Sequence, residues 1–571
     1  MSYKPNNEFN IAIVGAGTLK LTALEAFLPA IALRKKWGFD NFVIYERGAD
    51  VGGTWRDNTY PGCASDVPIH LYSLSSDLKP DWKNSHGTQP EILEYMREVT
   101  DKRGLRKYCS FHTSVDKAEW DATANVWRLE ISDVRTGEKH QTRATALISA
   151  IGVLVVPSFP KLQGIESFKG EVFHSARWNH DVDLHGKRVG VVGNGSSAAQ
   201  FVPKISADPT VTVTNFARTP MWYMPSPHVP YSGLTKWAFA YIPFVQRIHR
   251  FLITVESEAV FFAFKYKGKN LLSKYFTRAS INYIRSKVPA KYHDVMIPKD
   301  PYGCKRVVRD QGYLPALNRP NVELTFERIS HIEPDGIVTE AGDKVPVDVI
   351  VYGTGFVTDN YPMNLRGPRG TLKEYNDAHG GPQAYLGTTV PGFPNFFMMQ
   401  GTLLTRLLII AFASSLMTLL GQAPHILDLL APVRDGVLTS VSPKDSATDK
   451  YNDMLQDRLE DTVWSQCASW YRVGSHGRIF STFPGPLCEL WWWLRKPHWE
   501  DFEFEGPGAK EWRRRHASSF LAQFGTVALV GALGSLAFAS KGSSDGLSDF
   551  VDHAGHFVKD VQSWLVQLLA V

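Results

Sequence analysis

Lys187 to Pro203 reads KRVGVVGNGSSAAQFVP. An apolar, β-branched run ends in Gly193-x-Gly195-x-x-Ala198 and passes into a helix start, the order in which a dinucleotide fold builds its phosphate turn. The first glycine makes the turn, the second lets backbone approach a pyrophosphate, and Ala198 is small enough for the third place. Asn194, Ser196 and Ser197 add polar groups beside the amides of the helix N-terminus. Downstream, VTVTNFART ends a second strand on Arg218 and Thr219 rather than on an acid. An arginine there accommodates a 2′-phosphate, which points to NADP rather than NAD.

The same device occurs nearer the N-terminus. FNIAIVGAG ends a strand in Gly15-x-Gly17, and FVIYE ends the next on Glu46, placed to hold ribose hydroxyls. Here the third glycine is absent. Lys20 stands in its place, and Pro29 falls where a helix should run, so Leu19–Phe27 reads as an insertion before a helix that starts near Pro29. An acid-terminated unit followed by an arginine-terminated one indicates FAD plus NADPH. Buried apolar strands at Ala146–Pro160 and Asp348–Phe356, before and after the NADP unit, are expected to return the chain to the FAD domain. The fold class is therefore α/β, with two Rossmann-like nucleotide-binding domains, the NADP domain inserted in the FAD domain.

Composition agrees with a globular enzyme. The chain has 571 residues, 44% hydrophobic and 21% charged, with 62 basic against 57 acidic residues. A surplus of five is too mild for a nucleic-acid binder. Cys63, Cys109, Cys304, Cys467 and Cys488 are far apart, odd in number and lack a CxxC, so neither a disulfide framework nor a metal site is expected, and a reducing compartment fits. The N-terminus lacks an apolar signal core. Phe520–Ala539 carries no charge over twenty residues and follows WRRRH, which suits a transmembrane helix with its catalytic domains on the cytoplasmic side. A buried C-terminal helix in a soluble cytoplasmic protein is the other reading of that segment.

Two longer patterns narrow the class. One is FKGEVFHSARWN, with Phe168, Gly170, His174 and Trp178; the other is GGTWRDNTYPGCASD, Gly52 to Asp66. With them the chain resembles the Baeyer–Villiger monooxygenases of the flavin-containing monooxygenase superfamily, over about Asn10 to Phe504, and its C-terminal part is similar to that of fungal members acting in secondary metabolism. Asn179 stands where that family has proline or aspartate, which leaves N- or S-oxygenation open. A second departure, at residues 402–416, leaves open a flavoprotein-like product with impaired FAD binding.

The resemblance implies hydride transfer from NADPH to FAD, uptake of O2 as a C4a-peroxyflavin, and attack on a ketone to give an ester or lactone. It places Arg306, in YGCKRVVRD, as the cation that stabilises the oxygenating anion, with Asp66 orienting it. Thr54, Trp55, Arg56, Asp57, Asp66, Val67 and Tyr72 would line FAD beside Gly15, Gly17 and Glu46. Ala64, Ser65 and Lys305 would join the NADP set. His174 and Trp178 would act as a hinge aligning NADP with flavin.

The aromatic run Ser232–Val288 reads as a helical substrate cap, its apolar stretches interrupted by Lys236, Arg247 and Arg250, and its lining suits a bulky apolar ketone. The expected division is FAD domain 1–160, NADP domain 161–231, cap 232–290, NADP domain 291–345, FAD domain 346–505 and a tail at 506–571.

Overall fold

In the computed structural model the described residues are 8–15, 27–152, 154–226, 228–358, 361–399 and 411–517. Two parallel five-stranded sheets organise Met1–Ala509. The first runs Phe396–Met398, Ala146–Ser149, Ile11–Val14, Phe42–Tyr45, Cys109–Ser110. Ile11–Val14 is buried at every residue, as a parallel strand covered on both faces must be. The second sheet runs Val322–Thr325, Thr212–Phe216, Arg188–Val192, Val349–Tyr352, Glu171–His174. In each sheet the first glycine of the turn, Gly15 or Gly193, follows the central strand at its C-terminus, where doubly wound sheets bind nucleotides.

A third sheet, mainly antiparallel, is built on Thr113–Asp121, Val126–Asp133 and Lys139–Ala144 and covers the first. Trp120, Trp127, Leu147 and Phe396 share one core between them.

The order of strands corrects one expectation. Val349–Tyr352 does not return the chain to the first sheet; it pairs on one side with Arg188–Val192 and on the other with Glu171–His174. The return is made by Phe396–Met398 against Ala146–Ser149. A run such as DVIVYG is equally apolar in either sheet, so its sequence carries no sign of which one it joins. The second sheet therefore takes in residues beyond the expected boundary at 346.

A helix is described from Phe27 to Ala32, with Pro29 its third described residue. Gly17, Lys20 and the rest of residues 16–26 lie outside the described residues, as do residues 402–410 of the second departure. Phe520–Ala539 also lies outside them. Among the described residues no helix is long and apolar enough to cross a membrane. A second compact unit begins at Lys510; its described part is helical through Ala517.

The cysteines correct a further expectation. Cys304 and Cys467, 163 residues apart, form a disulfide, while Cys63, Cys109 and Cys488 are free. Partners so distant, without a spacing motif, meet only through the fold.

Three helices follow the second sheet's Thr212–Phe216: Gly233–Tyr241, Val245–Phe261 and Leu271–Lys287. Ser232 and Asn270 cap the first and third by accepting from the backbone N–H of Thr235 and Ser273.

Candidate active site

The second glycine turn has the stereochemistry of a phosphate cradle. Gly193 has φ +106°, and a Cβ there would come within 2.6 Å of the Gly353 carbonyl oxygen, so only glycine fits. Gly195 is different: a Cβ on it would meet nothing within 4 Å. It faces open space at the N-terminus of the helix Ser196–Ile205, which has no side-chain cap. Free backbone N–H groups beside open space suit a pyrophosphate, so the residues present fit the NADP that this turn implies.

Asn194 donates from Nδ2 to the Thr219 carbonyl at 2.9 Å and holds the turn to the end of the next strand. Arg218, at that strand end, is exposed, and no ion pair is formed by it among the described residues. It is a cation available to a 2′-phosphate. Lys305 Nζ lies 2.7 Å from the Asp300 carboxylate in its own loop.

On the flavin side Gly15 has φ +101°, and a Cβ there would lie 2.7 Å from the Ala150 carbonyl oxygen. The strand ends meet as closely as in the second turn, which fits the first unit to its own dinucleotide. Glu46 is 4% exposed. Its Oε1 accepts from the Gly48 N–H at 2.7 Å and from Arg56 Nη1 at 3.0 Å. Arg56 also donates to Asp57 at 2.8 Å, so Glu46, Arg56 and Asp57 form one network rather than three separate contacts.

The turn Thr54–Asp57 and the turn Ile69–Tyr72 are locked together by Trp55. Its indole Nε1 donates to the Tyr72 hydroxyl at 2.6 Å, and the two rings meet edge to face. Between these turns, Ser65 Oγ donates to the Val67 carbonyl at 3.0 Å and tightens the chain around Asp66.

Asp66 is the counterion of Arg306. The guanidinium Nη2 donates to its Oδ2, and both side chains are nearly buried, at 12% and 10% exposure. The partners are 240 residues apart in sequence.

Three residues to which the sequence reading gave no role at this site complete this corner. Arg309 sits near enough for the Asp66 charge to act on it, and burial lowers its pKa from the usual arginine range. Tyr471 is fully buried where both Arg306 and Asp66 act on its phenol, whose pKa burial raises. Cys304 adjoins Lys305 and Arg306, and its disulfide to Cys467 ties the arginine loop to the segment that carries Tyr471. Nothing in the sequence marks these; they are found only by proximity in the fold.

The two halves are joined at the helix Ser196–Ile205. Gln200 accepts from the Tyr60 hydroxyl at 2.7 Å and donates to the Ala64 carbonyl at 2.9 Å. Phe201 takes Tyr60 on one side and Trp178 on the other, with ring centroids at 6.1 and 5.3 Å. Trp178 packs in turn on Phe173 of the strand Glu171–His174.

Gly170 precedes that strand because a Cβ would fall 2.1 Å from the Asp348 carbonyl oxygen. His174 is buried and accepts from the Ala176 N–H through Nδ1 at 3.0 Å. Burial pulls its pKa down to about 4, so the imidazole is neutral and carries its proton on Nε2. Phe168 lies apart from the site, against the cluster of Ile332, Ile337 and Tyr352.

Comparison with known proteins agrees with this geometry. The family model described as flavin-binding monooxygenase-like matches residues 9–364. A Baeyer-Villiger monooxygenase of Pseudomonas aeruginosa is 36% identical over 487 residues, covering 83% of this chain and 87% of the relative. The FAD-binding monooxygenase ktnD of Aspergillus niger is 31% identical over 533 residues, covering 90% and 85%. Among solved structures, OTEMO in complex with FAD and NADP superposes with a TM-score of 0.74 at 25% identity, covering 88% of this chain and all of that one.

Proposed function

The chain belongs to the flavin-binding monooxygenase-like family and is an FAD- and NADPH-dependent monooxygenase, and from that premise we propose that it carries out Baeyer–Villiger oxidation, inserting one oxygen atom of O2 beside a ketone carbonyl to give an ester or lactone. The observation that carries this reading is the nearly buried Arg306–Asp66 pair. When bound, FAD supplies the relay of two electrons from NADPH and the activation of O2.

Arg306 contributes a charge that persists at any working pH and donors in a fixed fork, which suit an anionic oxygen at this corner. Asp66 fixes the orientation of that fork and, by neutralising it in part, keeps it from collapsing onto another carboxylate. Tyr471 and the disulfide close the corner against water. The open Gly195 turn and the exposed Arg218 take the NADPH pyrophosphate and 2′-phosphate. Gly15, Glu46 and the segment Thr54–Tyr72 hold FAD, with Trp55 and Tyr72 as its apolar wall. Gln200, Phe201 and Trp178 keep the two nucleotides in register.

The helices of 232–290 cover the substrate. The similarity to a Baeyer-Villiger monooxygenase supports the reaction type over N- or S-oxygenation.

The test is incubation of the flavin-loaded chain with NADPH, O2 and a panel of cyclic and polyketide ketones, followed by mass spectrometry. Formation of an ester heavier than the ketone by one oxygen is the expected result. Formation of sulfoxides or N-oxides alone overturns the assignment.

A further inference from the structure

The middle cap helix, Val245–Phe261, is inside out. Its buried positions are Gln246, Arg250, Ser257 and Phe261, three of them polar. Gln246 donates to the Lys79 carbonyl at 2.7 Å, and Arg250 donates to the Ser73 carbonyl and hydroxyl at 3.1 and 3.2 Å. The opposite stripe, Ile248, Phe251, Leu252 and Val255, follows the i, i+3, i+4, i+7 spacing of one helix face and is exposed, Phe251 at 63% and Leu252 at 59%.

The neighbouring cap helices also expose apolar residues. Leu234, Trp237 and Tyr241 are exposed at helical spacing on Gly233–Tyr241, and Leu271 on Leu271–Lys287 is 83% exposed. A soluble surface scatters its exposed apolar residues singly; an apolar stripe that runs along one whole helix face marks a surface built for an apolar neighbour.

Charge identifies the neighbour. Between Ser232 and Val288 there are ten basic residues and two acidic ones, Glu256 and Glu258. Since the whole chain has a surplus of only five, the rest of it is slightly acidic. Arg247, Lys267, Lys269, Lys274 and Arg278 are exposed on the same cap segment. A second copy of this chain would bring two strongly basic faces together, whereas apolar side chains ringed by lysine and arginine match the interface of an anionic bilayer.

We propose that this face of the cap is a monotopic membrane-binding surface for anionic lipid, with Phe251 and Leu252 entering the headgroup–acyl boundary and the surrounding lysines and arginines meeting lipid phosphates. The helix lies in the interface plane and spans nothing. An apolar substrate partitioned into the bilayer would then meet the cap directly.

The test uses the full-length, flavin-loaded chain in flotation with vesicles of phosphatidylcholine and phosphatidylserine at 70:30, and with phosphatidylcholine alone. Flotation with the anionic vesicles is expected, weakened in 0.5 M salt and with the neutral vesicles. Phe251→Ser with Leu252→Ser, at exposed positions, should cut binding at least tenfold while flavin absorbance and melting temperature stay unchanged. Lys267→Glu with Lys269→Glu should lower binding to the anionic vesicles alone.

Val527→Arg with Leu529→Arg, in the uncharged C-terminal stretch, separates the two apolar regions of the chain. The Phe251/Leu252 effect should persist in that background. The proposal is overturned if the parent chain does not float, if the Phe251/Leu252 variant floats like the parent, or if that variant changes the oligomeric mass by light scattering without changing vesicle binding.

Discussion

Replacing Arg306 with alanine separates what the ion pair does for folding from what it does for chemistry. Both members are nearly buried, at 12% and 10% exposure. Removing one partner of a buried pair costs about 3–5 kcal/mol, chiefly because the other charge is left in a poor solvent. The low end applies here, because the Arg309 charge also acts on Asp66. Arg306→Ala should therefore lower stability to urea by about 3 kcal/mol, and Asp66→Ala by a comparable amount. The double variant should cost less than the sum of the two, by about 1–3 kcal/mol of coupling.

In the reaction, anaerobic bleaching of flavin by NADPH, followed by stopped flow, should be nearly unchanged in Arg306→Ala. Ester formation should fall by about 10²–10³, the usual effect of removing one preorganised electrostatic donor. Arg306→Lys keeps the charge but loses the fork, so it should recover stability better than product. Ester formation within a few-fold of the parent in Arg306→Ala, or strict additivity in the double variant, would refute the reasoning.

Three further outcomes follow from the same coordinates. Arg218→Ala should raise the KM for NADPH by about 10–100-fold, as expected for one lost charge-assisted contact, with kcat little changed and NADH used no worse than before. Reduction of Cys304–Cys467, or Cys467→Ser, should destabilise the chain by about 5 kcal/mol at most, given a closed loop of 163 residues, and a melting temperature insensitive to reductant would contradict the bond. Acid should unfold the protein through its buried histidines: burial holds His70 and His425 at about 3 and His174 at about 4, below the ordinary 6.5. The unfolded chain takes up these protons first, so stability should fall as pH drops from 6.5 toward 4 and be insensitive to these groups above 6.5, as melting curves across that range would show.

Much of the architecture was legible because it is written locally. Each glycine turn lies within one stretch of sequence, and the strand, the turn and the terminal acid or arginine each have a separate physical reason. The FKGEVFHSARWN pattern was legible as a pattern but not as a cause. Its glycine is set by the Asp348 carbonyl, and its tryptophan by Phe201, neither of which is adjacent in sequence.

Val349–Tyr352 went to the wrong sheet because an all-apolar strand has no face to read. The disulfide was missed because its cysteines meet only after some 160 residues have folded between them. The aromatic run Ser232–Val288 reads as a cap lined by its apolar residues, yet nothing in the sequence of Val245–Phe261 says which side faces in. Only the burial of Gln246 and Arg250 shows that the polar side is the inner one.

Gln200 has a consequence for catalytic timing. One amide, on the helix that opens at the NADP turn, grips both the hydroxyl of Tyr60 and the main chain at Ala64, two residues before Asp66. A displacement of the NADP helix is thereby delivered to the arginine's counterion through two hydrogen bonds. Under the proposed assignment, with NADPH at that helix and Asp66 orienting Arg306, the reductive and oxidative half-reactions would share a mechanical linkage. Loosening it would show as wasted NADPH, reducing equivalents spent on hydrogen peroxide instead of ester, before it showed as slower turnover.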